Sequence, residues 1–164
     1  MTIALSLLDD VRWRGRTVVG DRPRALLAAL AARGCRPVPA EDLIELVWGD
    51  EAPLNGMKSL QVLVSRARTA CGAEVIVRDR VGYRLGAVPD EVDSARLAAL
   101  VRAATSALDQ DAASAAVLAA EALELAAGLP VVGDGEVGPL AEVRRVAAAD
   151  ADAARLVLAR ASSR

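Results

Sequence analysis

The sequence predicts an α+β domain, made of a small N-terminal antiparallel sheet, three helices and a C-terminal β-hairpin, followed by an all-α domain of about three helices. Three observations carry this. Short β-favouring runs occur only near the start and around residues 74–85, apolar residues recur at helical spacing almost everywhere else, and after residue 90 the composition shifts to alanine-rich. The domain division follows that shift, with residues 1–88 forming the first domain and 89–164 the second.

Ile3 to Leu8, Val11 to Trp13 and Thr17 to Val19 are β-favouring runs broken by Asp9-Asp10 and Arg14-Gly15, which suits strands joined by tight turns. From Pro23 to Arg33, Leu26, Leu27, Leu30 and Ala31 share one face, and Gly34 suits a helix stop. A second, short helix spans Glu41 to Trp48, with Leu43, Ile44, Val47 and Trp48 on its stripe and Gly49 at its end. Asn55 suits the N-cap of a third helix, Gly56 to Cys71, in which Leu60, Leu63, Val64 and Ala67 face inward and the basic residues face out. Glu74 to Arg78 and Gly82 to Leu85 flank Asp79-Arg80-Val81 as a hairpin.

Helices follow near 93–109, 112–128 and 139–161. Their stripes are Leu97, Leu100, Val101, Ala104 and Leu108; then Leu118, Ala122, Leu125 and Leu129; then Leu140, Val143, Ala147, Ala154 and Val157. Asp109-Gln110-Asp111 turns the first into the second. None can bury its stripe alone, so each must pack on the others, on the first domain or on another chain. The third stripe prompts the expectation of a homodimer.

The composition excludes several chemistries. The 164 residues contain no histidine and only Cys35 and Cys71, which leaves no Ser-His-Asp or Cys-His catalysis and no paired-cysteine zinc site. No enzyme activity, cofactor, metal or small-molecule substrate is expected. No apolar run reaches the ~18 residues that span a bilayer, and no signal peptide stands at the start, so the chain reads as cytoplasmic with no membrane partner. Gly133-Asp-Gly-Glu-Val-Gly138 matches the dinucleotide fingerprint literally, but its two carboxylates would repel a pyrophosphate and no βαβ unit surrounds it. It reads as an interhelical loop. Trp48 and Tyr83 read as core anchors and the cysteines as unreactive thiols.

The net charge of −2 hides a local excess. Residues 55–86 carry six bases (Lys58, Arg66, Arg68, Arg78, Arg80, Arg84) against Glu74 and Asp79, a net of +4. Five of the six are Arg, able to hold phosphate or guanine in a bidentate fork. An ordinary solvated face would show the same charge, so element order has to decide. Helix, helix, basic helix, hairpin is the order of a winged helix-turn-helix, whose last helix enters the major groove.

Three blocks in order make the likeness specific: Asp42-Leu-Ile-Glu-Leu-Val-Trp-Gly-Asp50, Ser59-Leu-Gln-Val-Leu-Val-Ser-Arg-Ala-Arg68 and Gly82-Tyr-Arg-Leu85. They resemble the OmpR-type winged helix of the AfsR/SARP (Streptomyces antibiotic regulatory protein) family. Asp90-Glu-Val-Asp-Ser-Ala-Arg-Leu-Ala-Ala-Leu100 resembles the start of that family's bacterial transcriptional activator domain, a TPR-like helical domain present here in shortened form. The resemblance implies a four-stranded N-terminal sheet and a sequence-specific DNA-binding regulator, an activator that recruits RNA polymerase to a promoter. It places the recognition helix at 55–71, with Lys58, Gln61, Val62, Ser65, Arg66 and Arg68 as DNA contacts, and the wing at 75–85, with Arg78, Arg80 and Arg84. Arg66 and Arg68 lie about 200° apart on a helix, so one of them has a structural role, and Arg66 is the stronger DNA contact. Asp50 and Glu51 fall where OmpR-type proteins touch polymerase.

Five positions depart from the family pattern. Met57-Lys58 stands where the family has Arg-Asn, Ala67 and Cys71 where it favours Leu, and Pro39 where it has a Ser cap. The low overall basicity, Met57 and the short activator domain motivate an alternative, a protein-interaction module or partner subunit of another regulator that keeps the fold and binds DNA weakly or not at all.

Overall fold

The computed structural model describes residues 2–164. Strands β1 (Leu5–Ser6), β2 (Arg12–Trp13) and β3 (Arg16–Thr17) form an antiparallel sheet in sequence order. Arg14 and Gly15 both take positive φ (48° and 85°), which gives the turn between β2 and β3 the twist that a two-residue hairpin needs. The sheet has three strands among the described residues, not the four that the resemblance implied. In place of a fourth, Val92 makes a single parallel bridge to Leu5, with Ala4 N–H donating to Glu91 O at 2.7 Å. Val92 is the N-cap of the next helix, so the chain is extended there for too short a stretch to make a strand.

Helix α1 (Asp21–Ala32) begins two residues before Pro23, which costs nothing because first-turn N–H groups have no helical partner. Leu26 to Ala31 are all buried, not a single stripe, because α1 is the central helix of the first core. Helix α2 (Ala40–Trp48) starts after Pro39 with no side-chain cap. Helix α3 (Gly56–Cys71) is capped as read, with Asn55 Oδ1 accepting from Lys58 N–H at 3.1 Å.

Strands β4 (Ile76–Arg78) and β5 (Tyr83–Leu85) pair Ile76 with Leu85 and Arg78 with Tyr83. Asp79 Oδ1 closes the tip by accepting from Val81 and Gly82 N–H at 2.9 and 3.2 Å. The inner edge of the hairpin meets the connector after α1, where Val38 and Tyr83 exchange both backbone hydrogen bonds. That approach requires glycine. A Cβ on Gly82 would lie 2.0 Å from Val38 O, and one on Gly86 1.7 Å from Glu74 O.

Helices α4 (Asp93–Ala107), α5 (Ala112–Leu125) and α6 (Pro139–Ser162) pack on one another. The α4 stripe is buried as read. On α5 the buried row is Ala115, Ala119 and Ala122, continued by Ala126 just past its end, while Leu118, Leu125 and, beyond the helix, Leu129 are only half-buried. Alanine admits the close approach of three helices, which turns the alanine face to the seam and leaves the leucines to cover its rims. The α6 stripe is covered within the chain by α1, α4 and α5, so it no longer motivates a homodimer.

Two hydrophobic clusters result, one around α1–α3 and both sheets, the other around α4–α6. They interlock, because Leu8 belongs to the second while Val92 and Val143 belong to the first. The β1–β2 loop is gripped where they meet. Asp93, only 7% exposed, accepts from Leu7 N–H (2.9 and 3.0 Å), Leu8 N–H (3.0 Å) and Ser94 N–H (2.8 Å). On the same loop, Arg144 of α6 donates to Leu7 O at 3.0 Å and Asp9 O at 2.6 Å. Burial pushes the Asp93 carboxyl above the usual carboxylate range, and the three N–H groups and the charge of Arg144 hold part of that rise back.

Candidate nucleic-acid interface

At 100° per residue, α3 divides into two faces. Leu60, Leu63, Val64, Ala67 and Cys71 are buried, and Met57, Lys58, Gln61, Val62, Ser65, Arg66, Thr69 and Ala70 form an exposed stripe down the opposite side. Gly56 lets this helix seat against α2, since a Cβ there would stand 3.0 Å from Ile44. Five of the six α3 residues read as DNA contacts, Lys58, Gln61, Val62, Ser65 and Arg66, share the outward stripe.

Arg68 departs from that expectation. It is half-buried and turns away from the stripe, donating from Nε and Nη2 to Ile76 O at 3.1 and 2.9 Å. The separation of about 200° from Arg66 sends it to the wing side, where it tethers β4 to α3 through a carbonyl oxygen. Arg78 and Arg80 are exposed on the hairpin, with the Arg78 guanidinium 5.7 Å from the Tyr83 ring centre. Arg84 is half-buried. Gln61, Ser65, Arg68, Arg78 and Tyr83 line one notch of about 430 Å³ between α3 and the hairpin, so the two elements present a continuous surface.

Arg12, Arg22, Arg96, Arg145, Arg155 and Arg164 each lie within 4.0 Å of a carboxylate. Among the described residues, none of Lys58, Arg66, Arg68, Arg78, Arg80 and Arg84 does, and neither do Arg14, Arg16, Arg24, Arg33, Arg36, Arg102, Arg144 and Arg160. What sets residues 55–86 apart is the density of charge, a net of +4 over 32 residues.

A second groove, of about 700 Å³, runs between the start of α1 and the outward face of α3, lined in part by Arg22, Trp48, Lys58, Val62 and Arg66. Arg22 is held there by Val47 O (2.8 Å), by Glu51 Oε2 (3.2 Å) and over the Trp48 ring at 5.7 Å. Asp50 and Glu51 lie in the 3-10 turn Gly49–Glu51 and are both exposed, but Glu51 is already paired with Arg22. Tyr83 is buried in the core and Trp48 half-buried against it. Burial raises both cysteine thiols, which keeps them protonated and weakly reactive. The Gly133–Gly138 segment is an exposed loop closed on itself, with Gly133 N–H donating to Glu136 Oε1 at 3.1 Å.

Sequence reasoning did not single out Asp93, Arg144 or Arg22. An Asp at a helix start reads as a local cap, and Asp93 finds its partners 85 and 86 positions away.

An outward basic helix beside a basic hairpin, with a helical bundle locked onto the same chain, defines a winged helix-turn-helix module joined to a helical domain. No protein-family profile matches the chain. It is 35% identical over 155 residues to the Regulatory protein AfsR of Streptomyces coelicolor, a match that takes in 88% of this chain and 15% of that protein. It is 31% identical over 87 residues to AfsR of Streptomyces griseus, covering 51% of this chain and 9% of the relative. The fold aligns with Mycobacterium tuberculosis EmbR, solved in complex with a low-affinity phosphopeptide. The TM-score is 0.77 at 24% identity, over 97% of this chain and 45% of EmbR. These relatives bear out the resemblance to the AfsR/SARP family. The chain spans about a seventh of the S. coelicolor protein. Among the described residues no helix is long and apolar enough to cross a membrane.

Proposed function

We propose that the chain binds double-stranded promoter DNA sequence-specifically as part of a transcriptional regulator, with α3 in the major groove and the 75–85 wing on the adjacent backbone or minor groove. The observation that carries this is the gathering of Lys58, Arg66, Arg78 and Arg80 on α3 and the wing, all exposed and, among the described residues, none within 4.0 Å of a carboxylate. Phosphate binding draws on such a local excess of bases. The named relatives are regulatory proteins, which supports the same reading. Activation through RNA polymerase is the extension of this proposal to Asp50 and its turn. A division into domains at 88/89 is part of it too, with the helical domain held in fixed orientation by Asp93 and Arg144.

Selection of bound duplexes from a randomised library tests the reading. Enrichment of a short motif that outcompetes its scrambled form is the expected outcome. If no duplex is retained while a protein partner is captured, the interaction-module alternative replaces it. Arg68→Ala separates tether from contact: it is expected to lower stability by about 1–2 kcal/mol in chemical denaturation while leaving the salt dependence of DNA affinity unchanged. Loss of a full unit of salt slope would return Arg68 to the DNA contacts.

A further inference from the structure

We propose that the groove between α1, α4 and α6 binds a small primary amine with a compact apolar body. None of the residues lining it belongs to α3 or the wing, so the inference goes beyond the DNA-binding reading. The groove holds about 380 Å³, which is within the range of small-molecule sites and less than the volume of two turns of a helix. It lies where the two hydrophobic clusters meet, since Ala31 and Val143 belong to the first and Ala147 to the second. Such junctions are where ligand sites concentrate.

Small residues at helical spacing make the space. Ala95, Ala98, Ala99 and Arg102 share one face of α4, and Val143, Val146, Ala147 and Asp150 share the facing side of α6, both at i, i+3, i+4 and i+7. The large α4 residues Leu97 and Leu100 are buried in the helical bundle instead, so alanine floors the groove. Asp150 is half-buried and feels the charge of Arg102, yet among the described residues no ion pair within 4.0 Å joins the two. Burial raises the Asp150 carboxyl above the usual carboxylate range, and Arg102 holds part of that rise back. An ammonium beside this carboxylate would offset the cost of its burial. Asp90 and Glu142 also line the groove, and Glu142 is paired with Arg145 at 3.7 Å. With that pair counted as neutral, Asp90 and Asp150 stand against Arg102, an excess of negative charge that selects a cation over an anion.

The test titrates the full chain with phenethylamine, phenethyl alcohol and phenylacetate, which share an apolar body and differ in charge, and follows the backbone amides by NMR. The amine is expected to bind about five- to ten-fold more tightly than the alcohol, the worth of one charge-assisted contact at a half-buried carboxylate, and the phenylacetate anion not at all. The shifted amides are expected to lie on α4 and α6 around the groove. Asp150→Asn is expected to bind amine and alcohol equally. Ala98→Phe, which fills the groove from a half-buried position, is expected to bind neither while keeping the wild-type amide pattern elsewhere. The inference is overturned if wild type binds none of the three probes, if it binds all three equally, if the shifts map away from the groove, or if the preference for the amine survives Asp150→Asn. DNA binding is untouched by each of these outcomes.

Discussion

Asp93→Ala is expected to lower the stability of the folded chain by about 3–4 kcal/mol, seen as a shifted midpoint in urea denaturation. The carboxylate satisfies the N–H groups of Leu7 and Leu8 where the two hydrophobic clusters meet, and Leu7 is fully buried and Leu8 nearly so. Each orphaned buried donor costs about 1–3 kcal/mol, and among the described residues no other side chain bonds them. Asp93→Asn should recover only part of the loss, because its NH₂ group would face an N–H donor. Arg144→Ala should cost less than Asp93→Ala, since it orphans one acceptor at a buried residue, Leu7 O, whereas Asp9 is exposed and its carbonyl can turn to water. A ΔΔG below 1 kcal/mol for Asp93→Ala would mean the seam is not held as described. With total stabilities of 5–15 kcal/mol typical for domains, the expected loss is a large fraction of the whole.

The combined variant Lys58→Ala/Arg66→Ala is expected to lose about 2–4 kcal/mol of affinity for the enriched duplex, roughly 30- to 900-fold in Kd. Both side chains stand on the outward stripe and, among the described residues, have no carboxylate partner, so their removal is expected to leave the fold intact and to take away the two phosphate or base contacts proposed for them. Arg102→Ala, an exposed cation on α4 far in sequence from the interface, should leave Kd unchanged. A comparable loss from Arg102→Ala would point to diffuse attraction and not to a recognition helix.

The element order was legible because each element carries its own local signal. Asn55 caps α3, Arg14-Gly15 makes a tight turn, and the α4 stripe repeats at helical spacing. The outward face of α3 was legible for a related reason: residues left over once the apolar stripe is assigned fall outside it, which put Lys58, Gln61, Ser65 and Arg66 there and also Arg68, while Val62 came from the family resemblance. What was not legible depends on distant partners. Arg66 and Arg68 differ little in sequence, and only the position of Ile76 O assigns Arg68 to the wing. The α5 face was misread because leucine outweighs alanine in any hydrophobicity count, while close three-helix packing favours the smaller residue. Asp93 went unnoticed because its partners Leu7 and Leu8 lie 86 and 85 positions away.

The central claim, that the outward face of α3 and the wing bind DNA through their exposed bases, is tested most directly by the salt dependence of Kd for the enriched duplex. Each phosphate neutralised contributes about −0.9 to the slope of log K against log salt. The account predicts a wild-type slope steeper than about −2, flattened by about 2 units in Lys58→Ala/Arg66→Ala. A shallow wild-type slope, or one that the double substitution leaves unchanged, would contradict it.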